Sequence, residues 1–104
     1  MSSLSTHVLD TSTGRPAAGV HVRLEDAATG DLLAEGRTDD DGRVSPLGGD
    51  VPAGTYRIVF DTTGHLGPDA FYPEVAVVLR VADGEHYHAP LLLSPYGYST
   101  YRGS

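Results

Sequence analysis

A chain of 104 residues with no cysteine excludes disulfides and any cysteine-based nucleophile or zinc site, and it is long enough for one modest core that buries roughly 60–65% of its extended surface. Seven basic residues against fourteen acidic ones leave a formal charge of −7, which argues against nucleic acid and anionic lipid as partners. With no N-terminal apolar leader and no run of about 18 apolar residues, the expectation is one soluble, cytoplasmic domain over residues 1–104.

In chain order, LSTHVLD (4–10) is a weak strand candidate, followed by the turn cluster STGRPAAG. GVHVRLEDA then sets Val20, Val22 and Leu24 against His21, Arg23 and Glu25, the period of two that a half-buried strand requires. LLAEGRT (32–38) is a weaker strand and leads into DDDGR, where Asp41-Gly42 is a hairpin turn signal and Arg43 opens the next segment. TYRIVFD repeats the alternation with Tyr56, Ile58 and Phe60 against Arg57, Val59 and Asp61. TTGHLGPDAF offers a short helical turn at most, weakened by its glycines and proline. VAVVLRVA (75–82) and APLLLS (89–94) are further strands. The tail YSTYRGS also alternates, with Tyr98, Thr100, Arg102 and Ser104 on one face. Seven or eight short strands between Gly-, Pro- and Asp-rich turns predict an all-β protein, an antiparallel two-sheet β-sandwich with at most one short helix.

Five histidines are the main carriers of chemistry. His21 lies on the polar face of its strand and His65 in a glycine-rich loop, and both read as surface or hydrogen-bonded side chains. His86 and His88 in EHYHAP differ, because residues two apart on a strand point the same way with Cβ atoms roughly 7 Å apart. Two exposed polar residues flanking an inward Tyr87 would produce the same spacing. A metal is the rival use of such a pair, since H-x-H plus a third histidine can supply three nitrogens to zinc. No H-E-x-x-H helix accompanies it, and neither a metal nor another cofactor is expected.

HVLDTSTGRPAAGV (7–20) resembles the N-terminal signature of the transthyretin-like family, and YHAPLLLSPYGYST (87–100) resembles its C-terminal signature. The resemblance extends over nearly the whole chain. Its least specific part is the middle, where the G-x-P-x-x-G turn, DGR and AGTYRI also suit regulatory-type sandwich domains. The family has a hormone-carrier branch and a 5-hydroxyisourate hydrolase branch. This chain resembles the hydrolase at His7, where the carrier has lysine, at Arg43, at His86 and His88, and at the terminal Tyr101-Arg102-Gly103-Ser104. The resemblance implies a catalytic set of His7, Arg43, His88 and Ser104, substrate contacts from His86, Tyr101, Arg102 and Gly103, and a homotetramer built as a dimer of dimers. The implied reaction opens 5-hydroxyisourate to 2-oxo-4-hydroxy-4-carboxy-5-ureidoimidazoline. The chain departs from the family between Phe60 and Phe71, where DTTGHLGPDA is shorter than the usual helix-bearing segment, so the helix itself is in question.

These residue types suit that chemistry. Opening a polar purine-derived ring needs a base for water, a stabiliser for the oxyanion and a clamp for the ring. Histidine titrates near working pH and can take and return a proton, while arginine presents a rigid fork of donors to carbonyl or oxyanion acceptors. All seven basic residues are arginine, which removes lysine Schiff-base chemistry. A small-ligand binding protein is the alternative. Its pocket should be mainly apolar, whereas the resemblance implies one that contains two histidines and an arginine. A non-catalytic structural module is the third reading.

Overall fold

The alternation written into the sequence becomes two sheets packed face to face. The computed structural model describes residues 1–103; Ser104, one of the expected catalytic residues, lies outside the described residues. The strands are β1 (Ser3–Asp10), β2 (Arg15–Pro16), β3 (His21–Asp26), β4 (Leu32–Arg37), β5 (Arg43–Val44), β6 (Gly54–Asp61), β7 (Glu74–Val81), β8 (His86–Ser94) and β9 (Gly97–Thr100). One sheet runs β4-β3-β6-β7 and is antiparallel throughout. The other runs β2-β1-β8-β9, with the two-residue strands β5 and β2 sharing the outer edge of β1. The short helix α1 (Thr63–Leu66) forms despite the shortened segment after Phe60. Among the described residues, no helix is long and apolar enough to cross a membrane.

Alternating side chains from both sheets meet in one core: Leu4, Val8, Leu91 and Leu93 from the first, Val22, Leu24, Ile58 and Phe60 from the second. Each fully buried aliphatic or aromatic side chain contributes about 1.5–3 kcal/mol. Tyr56 points inward as its alternation predicts, and so does Tyr87 between the two histidines of HYH. Val59 departs from the pattern, being buried although it sits on the outer face. Its cross-strand neighbours there are Arg23 and Ala76, and Arg23 is held over that face by Glu25 and Glu74.

Three features go beyond the expected sandwich. First, β1 and β8 pair in parallel, from Ser3 opposite His86 to Asp10 opposite Leu93, so the sandwich is antiparallel everywhere except at this central pair. Second, DDDGR does more than turn. The Asp39 carboxylate accepts the Asp41 and Arg43 amides at 2.9 and 3.0 Å, Gly42 has φ +76°, and the Gly42 carbonyl accepts the Val8 amide at 2.7 Å. Third, the tail is not one strand to its end, because β9 stops at Thr100. The His88 carbonyl accepts Gly103 N–H at 2.8 Å and the Pro90 carbonyl accepts the Thr100 hydroxyl at 2.7 Å. Pro90 therefore turns its backbone toward the tail where it has no N–H to give, and the ladder breaks before resuming at the His88–Gly103 bridge.

Asp10 ties the helix to this sheet. Its carboxylate accepts the Ser12 hydroxyl and amide and pairs with His65 Nε2 at 2.7 Å. Burial alone would raise its pKa. The hydrogen bonds from Ser12, His65 and the Ser12 and Thr13 amides outweigh that and hold it below the ordinary 3.8. A carboxyl depressed on folding contributes stability that is present above 3.8 and lost as pH falls through its lower folded value. Asp10→Asn should therefore lower Tm at neutral pH and flatten the acid limb of a Tm-against-pH curve. In the other turn, a Cβ on residue 42 would sit 2.4 Å from the Val8 carbonyl oxygen. Gly42→Ala should cost about 2 kcal/mol or more in urea unfolding.

Candidate active site

The outward faces of β1 and β8 carry the histidines. Because side chains alternate, Leu4, Thr6 and Val8 enter the core while Ser3, Ser5 and His7 face out, and Tyr87 and Ala89 enter while His86 and His88 face out. The parallel register sets Ser3 beside His86, Ser5 beside His88 and His7 beside Pro90. On the other side of β1, His7 pairs with Arg43 of β5. Residues 7, 43 and 88 thus converge on one patch of sheet.

The rings of His7 and His88 lie 6.5 Å apart, centroid to centroid, tilted by 36°. Nε2 of His7 is buried and has no hydrogen-bond partner among the described residues, where buried polar atoms are ordinarily paired. His88 is bonded through Nδ1 to the Ser5 hydroxyl at 2.8 Å. Gly103 closes over the same ring: a Cβ at residue 103 would come within 2.6 Å of His88 Cδ2, so any larger residue would have to displace the imidazole. Burial, followed by the positive charge of Arg43 and the neighbouring His7 and His86, pushes the His88 pKa below 6.5 and favours the neutral, proton-accepting ring. Among the described residues, ion pairs take up Arg23, Arg57 and Arg102 and do not include Arg43.

The other expected contacts divide. His86 is adjacent, but both of its ring nitrogens are engaged, Nδ1 with Ser3 at 2.6 Å and Nε2 with Ser5 at 3.1 Å. Arg102 lies over the ring of the inward-facing Tyr87, 4.5 Å from its centroid, and lines the same groove as His88. With the exposed Tyr101 it borders a groove of about 290 Å³ against Val77 and Leu79 of β7. His21 and His65 are the partnered side chains expected, with Glu35 at 3.7 Å and Asp10 at 2.7 Å. No group of three or more His, Cys, Asp or Glu side chains among the described residues is arranged to hold a metal ion. Ser3 and Ser5 escaped sequence reasoning. Alternation in LSTHVLD places Ser5 on the face of His7, but only the parallel register shows that it meets His86 and His88.

A family model described as the HIUase/Transthyretin family matches residues 4–103. The chain belongs to the HIUase/Transthyretin family. Within it, the chain is 47% identical to the 5-hydroxyisourate hydrolase of Salmonella dublin, over 97% of this chain and 80% of that one. The structure of Klebsiella pneumoniae 5-hydroxyisourate hydrolase superposes with a TM-score of 0.89 at 38% identity and full coverage of both chains. Sea bream transthyretin in complex with thyroxine also superposes, with a TM-score of 0.86 at 34% identity over 96% of this chain and 93% of that one. One family fold therefore underlies a relative named as a hydrolase and one solved with thyroxine bound. Replacing Arg43 with alanine removes one of the charges that depress His88. The His88 titration, followed by NMR of its ring protons, should then move up toward 6.5.

Proposed function

We propose that this protein is a 5-hydroxyisourate hydrolase of urate breakdown, and that His7, Arg43, His88 and Ser104 carry the reaction. The observation that supports it most is the neutral-leaning His88 with its ring 6.5 Å from that of His7, which pairs with Arg43 across β1 and β5 and whose buried Nε2 has no partner among the described residues. Relatives named for this activity match nearly the full chain. In the reading, His88 or His7 takes a proton from water as the oxygen attacks a ring carbonyl. Arg43 binds the carbonyl oxygen and stabilises the negative charge that develops there. The ring C–N bond then breaks, and the nitrogen leaves with a proton returned by a histidine. Ser104 orients substrate or water, and Gly103 brings the backbone against the ring of His88. Arginine supplies the polarisation for which a metal would otherwise be required, so the reaction proceeds without one. The working form is a cytoplasmic homotetramer of this single domain.

Freshly generated 5-hydroxyisourate should decay faster with the protein than without it, and equally fast after exhaustive dialysis against EDTA. His7→Ala or His88→Ala should lower kcat by about 10²–10⁴-fold, and loss of Ser104 should reduce activity without lowering Tm. Activity within twofold of wild type in both histidine variants would refute the assignment. Thyroxine-like binding without turnover would favour the carrier reading.

A further inference from the structure

Both nitrogens of His86 and one of His88 are taken up by two serine hydroxyls, in an order that leads from the surface to the site. Ser3 Oγ meets His86 Nδ1 at 2.6 Å, His86 Nε2 meets Ser5 Oγ at 3.1 Å, and Ser5 Oγ meets His88 Nδ1 at 2.8 Å. His86 is exposed and Ser3 half-buried at the outer end, while Ser5 is buried. A serine hydroxyl has one proton and a neutral imidazole has one N–H. When the Ser5 proton is used within the chain, every link can be filled in only two ways. In one, each N–H and O–H points outward and His88 presents a bare Nε2. In the other, every proton points inward and His88 presents Nε2–H.

We propose that Ser3, His86, Ser5 and His88 form a proton relay that switches His88 between base and acid, with Ser5 as its essential positioning residue. The proposal rests on the hydrolase reading above and assigns His86 a part in moving protons in place of a substrate contact. The balance closes at each link. Water gives a proton to His88 Nε2, the Nδ1 proton passes to Ser5, the Ser5 proton to His86 Nε2, the His86 Nδ1 proton to Ser3, and the Ser3 proton to solvent. His88 ends neutral, carrying Nε2–H for the leaving nitrogen, and a proton entering at Ser3 resets the chain afterwards. The charged and titratable groups facing His88 explain the need for such a path. Arg43, His7 and His86 all oppose a lasting positive charge on it, so a route that removes one proton as another arrives keeps the ring neutral.

The test compares wild type with Ser5→Ala and His86→Gln. In wild type, kcat should be independent of imidazole buffer concentration. In Ser5→Ala it should fall by about tenfold or more, a smaller loss than that for removing the acid–base group itself, and rise again with added imidazole that carries the proton instead. Separately and without substrate, ¹⁵N NMR of the ring nitrogens should show the His88 tautomer changed in Ser5→Ala and also in His86→Gln, which does not touch His88 through a hydrogen bond of its own. A wild-type kcat in Ser5→Ala, or a lowered one that imidazole leaves unchanged, would overturn the relay. So would His88 ¹⁵N shifts unaffected by either substitution. If the NMR coupling is present but wild type fails to hydrolyse 5-hydroxyisourate, the hydrogen-bonded relay stands and the hydrolase reading falls.

Discussion

The parallel pairing of β1 with β8 is the constraint from which the rest of the site follows. These strands lie near opposite ends of the chain, and their register runs without a bulge for eight residues, Ser3 to Asp10. Side chains alternate strictly along such a pair, so one register fixes both faces at once. Leu4, Val8, Leu91 and Leu93 go into the core because Ser5, His7, His86 and His88 go out. A slip of one residue would bury the histidines and expose the leucines. The burial that holds the sandwich together is thus also the force that holds His7 and His88 at their mutual distance.

Two backbone devices complete the patch from either side. On the outer edge of β1, the Asp39 carboxylate and the left-handed Gly42 hold a tight loop against Val8. Arg43 emerges from it in register with His7. On the far side of β8, Gly103 rests on the ring of His88. Neither device relies on a long, flexible side chain for its position, and the arginine begins from a fixed backbone. Such pre-positioning suits a site that must meet developing charge with donors already in place.

Much of this was legible in the residues. The alternations around Val22 and Ile58 named the inward positions correctly, Asp41-Gly42 announced the turn that delivers Arg43, and HYH placed two imidazoles on one face. The pairing partner of each strand was not legible, because periodicity records which face is buried and says nothing about which strand lies alongside. Ser3 and Ser5 therefore looked like ordinary polar residues until the register set them beside His86 and His88. The end of β9 was misjudged for a local reason. YSTYRGS alternates as a strand should, but the missing donor belongs to Pro90 in a different segment. The two short strands β2 and β5 offer only two residues each, too few to show a period.

The gap that Pro90 leaves in the ladder gives the tail a mechanical character of its own. Residues 101 and 102 span two fixed points, Thr100 on Pro90 and Gly103 on His88, with no strand pairing of their own. Arg102 is seated instead on the Tyr87 ring and paired with Glu85. This wall of the site is therefore fastened to β8 by side-chain contacts and the single Gly103 amide rather than by a continuous ladder.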